Sequence, residues 1–325
     1  MSIPSSAKRA SSAATCGRKF MSPVNGLAWT PPGRPTALVQ GISHWPSATA
    51  IPQIFSVWSI RSDVSKSTKS PPMRKPKKLK TENPISSRQF LKAGFEPFVS
   101  DQQKGLPDSP VETSPPKGAE WIVLPSSDTL TCGDMPVRTA IERRRSRRRF
   151  AAAPMTLDEL AYVCWTTLGI QKIFGAGRAV FRTVPSAGAR HAIQLYVAVG
   201  NVRELPKGLY RYRATDHALV ALKTDDAILE KTAQACFDQH WMAQAAAVLI
   251  FSAVPYRMEW RYGPAWPKLI ALDAGHACQN TYLAAESIGA GACAVAAYDQ
   301  TQMDQLAGLD GNDEFVIYLA AVGKV

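Results

Sequence analysis

No two of the six cysteines (16, 132, 164, 236, 278 and 293) stand in a CxxC spacing, and no Cys/His pattern among the five histidines suits zinc. That absence excludes zinc-finger readings. It points to buried, reduced thiols in a reducing, cytoplasmic setting. No run approaches the roughly 20 apolar residues of a membrane span. Residues 1–20 lack the apolar stretch of a secretory signal. Acids are nearly missing from the first 80 residues: Asp63 stands alone against 13 Lys and Arg, leaving 25 of each sign for residues 81–325. The net charge of +12 therefore belongs to the N-terminal quarter, and the remainder gives no global case for nucleic acid.

Residues 1–80 are rich in Ser, Pro, Lys and Arg without sustained periodicity, so they read as a disordered basic tail. Their poverty in acids also resembles a transit peptide, and a start at Met73 is a third reading. Residues 81–134 read as a Pro-punctuated arm that packs on the domain through Phe90-Leu91 and Trp121 to Leu124. Residues 135–325 carry the domain. A short helix is expected over Val137–Arg145. A capping box, Thr156-Leu-Asp-Glu159, opens the next helix. Strands are expected over Ile193–Val199 and, fully buried, over Ala246–Val254. A hairpin spans Leu209–Leu222, turning at Thr215-Asp216. Helices are expected over Asp225–His240, Pro267–Ile288 and Thr301–Leu309, with extended segments at Ala292–Ala297 and Phe315–Val322. Helices and strands mix without regular βαβ alternation, which argues for α+β.

Arg143-Arg144-Arg145-Ser146-Arg147-Arg148-Arg149-Phe150 is the most unusual stretch. A solvated basic face or a nucleic-acid patch is the bland reading. Apolar neighbours on both sides favour a docked cluster, and guanidinium forks beside a hydroxyl suit a phosphate dianion. Arg144-Arg145-Ser146-x-Arg148-x-Phe150 resembles the RRSxRxF signature of flavin-dependent nitroreductases. Pro185-Ser186-Ala187-Gly188-Ala189-Arg190-His191 resembles a segment of the SagB-type dehydrogenase branch. So do the Gly208-Leu209-Tyr210-Arg211-Tyr212 hairpin with His217-x-Leu219, and Asp273-Ala274-Gly275-His276 through Gln279-Asn280-x-Tyr282-Leu283. Each motif alone is weak; four in order, over roughly residues 135–324, are specific.

The resemblance implies a mixed, mainly antiparallel sheet flanked by helices in an intertwined homodimer, with FMN at the interface and NADH or NADPH as donor. It implies that Arg144 and Ser146, with Arg145 beside them, hold the phosphate and ribityl end. Arg148 would lie near N1 and the C2 carbonyl, where a fixed cation favours the reduced state. Pro185, Ser186, Ala187, Gly188 and Ala189 would approach from the other subunit. The N–H groups of Ala296 and Ala297 would face N5, and Lys324 is a further phosphate candidate. His191 follows the Pro-Ser loop within reach of the flavin, whereas His276, His240 and Trp241 read as packing residues.

Two flavin activities follow. One passes hydride from nicotinamide to a quinone or nitroaromatic. The other, implied by the SagB-type branch, oxidises azoline rings in peptides with a Lys-Tyr pair ahead of a Gly. Here those positions read Arg261-Tyr262-Gly263, and arginine is a poor general base. Arg261 and Tyr262 are the candidate acceptor-facing residues. The rival class, a basic nucleic-acid-binding protein, lacks any recognition motif and signals itself by steep salt dependence.

Overall fold

Two nearly continuous apolar runs, Ile193–Val199 and Ala247–Ala253, bury every residue, and a strand buried on both faces must lie inside a covered sheet. In the computed structural model they are adjacent strands of a seven-stranded sheet. The chain divides into residues 1–76 and 77–325. The residues described are 90–92, 95, 97–175 and 179–325. The tail read over 1–80 and the Met73 start lie outside them.

In chain order the strands are β1 (Trp121–Val123), β2 (Ile170–Phe174), β3 (Ala179–Arg182), β4 (Ile193–Val199), β5 (Gly208–Arg213), β6 (Ala218–Thr224), β7 (Ala247–Ala253), β8 (Ala290–Val295) and β9 (Phe315–Lys324). The helices are α1 (Val137–Arg143), α2 (Leu157–Leu168), α3 (Ile228–Ala235), α4 (Pro255–Tyr262), α5 (Trp266–Ser287) and α6 (Gln300–Ala307). The sheet runs β1-β6-β5-β4-β7-β9-β8, every neighbouring pair antiparallel, with β2–β3 a separate hairpin. Alternation sends Leu195, Val197, Leu249 and Phe251 to one face against α2 and α5. It sends Tyr196, Ala198, Val248 and Ile250 to the other, against Ile228, Met242 and Met303. This is an α+β architecture with a large antiparallel sheet between helices.

The capping box forms as read: Thr156 Oγ1 accepts from Glu159 N–H, and the Glu159 carboxylate accepts from Thr156 N–H. The 22-residue α5 ends before Gly289, whose φ of 65° supplies the left-handed stop. Three expectations need correction. The helix expected over Asp225–His240 is α3 plus a 3₁₀ turn at His240–Gln244, because Phe237 and Asp238 take φ of 57° and 58° between them. The first helix stops at Arg143, not Arg145, since Arg144 leaves it with ψ of 126°. Arg261 and Tyr262 close a helix, α4, that the reading above does not contain.

Candidate active site

The extended backbone after Arg144 joins the β8 edge. Ser146 bridges Ala292 in parallel, and Arg147 N–H donates to the Ala292 carbonyl at 2.9 Å. Extension throws successive side chains to opposite sides and sorts the arginines. Arg143 and Arg147 reach the buried Glu286 of α5, at 3.4 and 3.8 Å. Arg144, Arg145 and Arg148 have no carboxylate partner among the described residues. Arg144 lies over the Tyr282 ring at 5.4 Å, and Arg148 over Trp241 at 5.9 Å. Arg145 folds back onto the carbonyls of Glu142 and Arg144.

Tyr282 is the hub of this edge. Its hydroxyl accepts from Ala294 N–H at 2.8 Å and lies 3.0 Å from Ser146 Oγ. Either hydroxyl can donate in that contact, and the serine side chain is exposed on the same edge. Four residues past the Ser146 bridge, about 13 Å along a strand, β8 has ended and Ala296 and Ala297 are exposed. Neither of their N–H groups donates to an acceptor among the described residues. Ala296 lines an apolar cavity of about 610 Å³ with Ile270, Ala274, Ile317 and Tyr318.

A second constellation centres on the turn Pro185–Ala189. Ser186 Oγ donates to Asp273 Oδ2 at 2.6 Å and accepts from His191 N–H at 2.9 Å; Ala187 N–H reaches Asp273 Oδ1 at 3.3 Å. The clamp holds Gly188, Ala189 and His191 at φ of 56°, 53° and 49°. Two of these are not glycine, so the turn stores strain of order 1–3 kcal/mol per residue. Gly188 is required twice, by its φ and because a methyl there would lie 2.5 Å from the Tyr262 hydroxyl. The turn, Arg261 and Tyr262 are thus brought together. Burial raises the Asp273 carboxyl above its ordinary value. Burial, then the nearby Arg182 charge, lowers His191 to about 4, so its ring stays neutral.

Both constellations hang on α5, at Asp273 and Tyr282. Nine residues at 1.5 Å put them about 13 Å apart. The Lys324 ammonium donates to Glu159 at 2.6 Å and to the Ile288 carbonyl.

The profile of the Nitroreductase family matches residues 141–324, more than half of the chain. The chain belongs to the nitroreductase family. A Methanocaldococcus jannaschii protein named as a nitroreductase is 30% identical over 203 residues, 62% of this chain and 96% of its own. A Ralstonia eutropha structure, also named as a nitroreductase, superposes with a TM-score of 0.51 at 26% identity, over 68% of this chain and 99% of that one. The trifolitoxin-processing protein TfxB of Rhizobium leguminosarum is 28% identical over 121 residues, 36% of this chain, which spans 32% of that relative.

Membership supports oxidoreductase chemistry. In this nitroreductase the motif reading misses the partners that position the motif: Glu286 sorting the arginines, Trp241 beneath Arg148, and Asp273 as the clamp. Asp273 and Tyr282 lie in a quoted motif. Their spacing of nine, five half-turns of helix, already places them on opposite faces at separate levels. No helix among the described residues is long and apolar enough to cross a membrane.

Proposed function

We propose that this nitroreductase is a cytoplasmic, homodimeric FMN enzyme that takes hydride from NADH or NADPH and delivers it to a small acceptor such as a quinone or nitroaromatic. The observation that carries the reading is the sorting of the arginine run. Glu286 draws Arg143 and Arg147 to one side, whereas Arg144 and Arg148 have no carboxylate partner among the described residues and flank an exposed serine in the chain. Free backbone donors and an apolar cavity lie farther along the same edge. A cationic end, a spacer and an apolar end with N–H donors fit the phosphate, ribityl chain and ring of FMN.

Bound there, FMN supplies two-electron chemistry by exchanging hydride at N5. Arg144 and Ser146 hold the phosphate end, with Arg145 beside them. Arg148 stabilises negative charge that develops on the ring. The N–H groups of Ala296 and Ala297 donate to the reacting edge, a task that needs no particular side chain. Tyr262 donates a proton to the acceptor oxygen, and Arg261 orients it as a fixed donor. In one chain the Pro185–Ala189 turn stands away from the arginine edge. Pairing with a second copy supplies the turn to the partner's flavin.

A second reading, azoline oxidation in peptides, is favoured by the likeness to TfxB and by the Pro185–His191 segment. It is opposed by Arg261, which cannot cycle a proton near neutral pH. An absorption spectrum of the purified protein tests the flavin reading. A yellow protein that releases FMN on denaturation is expected. A colourless one that takes up no added FMN overturns it.

A further inference from the structure

Beside the apolar cavity at Ala296 lies a second cavity, of about 630 Å³, with a different lining. The two share the side chains of Trp266 and Phe315 as a common wall. The second is completed by Tyr256 and Glu259 from α4 and by Asn312 and Asp313 from the loop before β9. It thus holds three aromatic rings and two carboxylates, and no Lys or Arg lines it. Neither carboxylate has a cationic partner among the described residues, although ten ion pairs form elsewhere in them. Aromatic faces carry negative potential, and unpaired carboxylates add to it. Such a cavity attracts an organic cation and repels an anion.

The walls are set before any ligand arrives. Asp310 Oδ1 accepts the N–H groups of Asn312, Asp313 and Glu314 at 2.7, 2.7 and 3.1 Å, which fixes the loop that presents Asp313. Asn312 Nδ2 donates to Asp313 Oδ1 at 2.9 Å and orients that carboxylate. Glu259 sits on α4 one turn before Tyr262, held by the helix. Partial burial, and then the neighbouring Asp101, raise its carboxyl above the ordinary value. Arg261 projects about 160° around the helix from Glu259, toward the Gly188 turn, and does not neutralise it.

We propose that this aromatic and acidic cavity is a binding site for organic cations, quaternary or N-alkylated aromatic amines. Through the wall formed by Trp266 and Phe315 it selects cationic acceptors for the neighbouring active site. The second statement rests on the flavin reading; the first does not.

Calorimetric titration of the full-length protein with benzyltrimethylammonium, benzyl alcohol and benzoate separates the two. The cation should bind at least tenfold more tightly than either other probe, and raising salt should weaken it alone. Glu259→Gln and Asp313→Asn should each weaken it by about tenfold, the scale of one partly desolvated charge contact. Asp313 is on an exposed loop, so its variant still decides the matter if the Glu259 variant fails to fold. Equal binding of the three probes, or cation binding indifferent to Asp313→Asn, overturns the site, whether or not the protein carries flavin. In protein that does carry it, 4-nitrobenzyltrimethylammonium should show a lower KM than 4-nitrobenzoate. Asp313→Asn should narrow that gap without changing kcat. A KM ratio unchanged by the substitution, with cation binding intact, removes the link to the active site and leaves the cation site standing.

Discussion

Ser146 shows how much one hydroxyl depends on its neighbours. Its contact with the Tyr282 hydroxyl holds it exposed at the edge, and Arg144 over the same ring adds charge beside it. Arg144→Ala should weaken FMN binding by on the order of 1.5–3 kcal/mol, and Ser146→Ala by about 1 kcal/mol, both in fluorescence titration with the fold unchanged. Unaltered affinity in both variants would mean that the cluster faces only solvent. His191 makes a pH prediction. Its ring is buried, contacts the Val180 carbonyl and titrates near 4 in the fold against about 6.5 in an unfolded chain. Folding therefore favours the neutral ring. That stability is complete above pH 6.5 and is lost progressively as pH falls toward 4, on the order of 3 kcal/mol in all. Asp273, shifted upward, works in the opposite sense. His191→Asn, which tolerates the φ of 49°, should flatten the decline in unfolding midpoint between pH 6.5 and 4. A decline as steep as the parent's would assign it to other groups.

At the level of elements, legibility followed chemistry that is local. The capping box and the buried runs were readable because each signal lies within one segment. α3 is shorter than its pattern suggests because nothing in Cys236-Phe237-Asp238 announces two left-handed residues. α4 carries its signals locally, since Pro255 at its start and Gly263 at its end are the usual helix boundaries, though its eight residues are dense in aromatics and charge. The site divides the same way. The arginines and the Pro185–Ala189 turn are sequence motifs, whereas Glu286, Trp241 and the clamp on Ser186 arise from residues far apart in the chain. α4 also carries the acceptor prediction. Tyr262→Phe removes the hydroxyl packed on Gly188 but keeps the ring. In stopped flow it should slow reoxidation by quinone by about 100-fold, the lower end of the range for a proton donor, with FMN affinity and reduction by nicotinamide unchanged. Identical half-reactions would place the acceptor elsewhere.

Across the whole molecule, residues 106–113 are joined to the fold by ion pairs and hydrogen bonds. Their contacts reach α4, β3, β5 and the loop after the Pro185–Ala189 turn. The Leu106 carbonyl accepts from Trp260 Nε1 of α4, and Asp108 pairs with Arg190 after the turn. The Thr113 carbonyl accepts from Arg211 and Arg213 of β5. Glu112 pairs with Arg182 of β3 at 3.4 Å and accepts from Ala214 N–H. β1 then closes one edge of the sheet against β6. Arg182, Arg211 and Arg257 are all buried, and Glu112 and Glu314 are the carboxylates set among them. Burial lowers the Arg182 guanidinium value, and burial together with the Arg182 charge lowers that of Arg257 to about 10. Glu112→Ala leaves Arg182 desolvated and unpaired, a loss of about 3–5 kcal/mol, visible as a fall of roughly 10 °C in unfolding midpoint. The cost is the stranded charge and not the missing contact, so the double variant Glu112→Leu, Arg182→Met should recover most of it, since apolar residues of similar volume commonly replace a buried pair at little cost. A double variant no more stable than Glu112→Ala would show that the carboxylate serves chiefly the Ala214 backbone and the ordering of residues 106–113. In that case the ion pair would contribute little to joining this segment to the sheet.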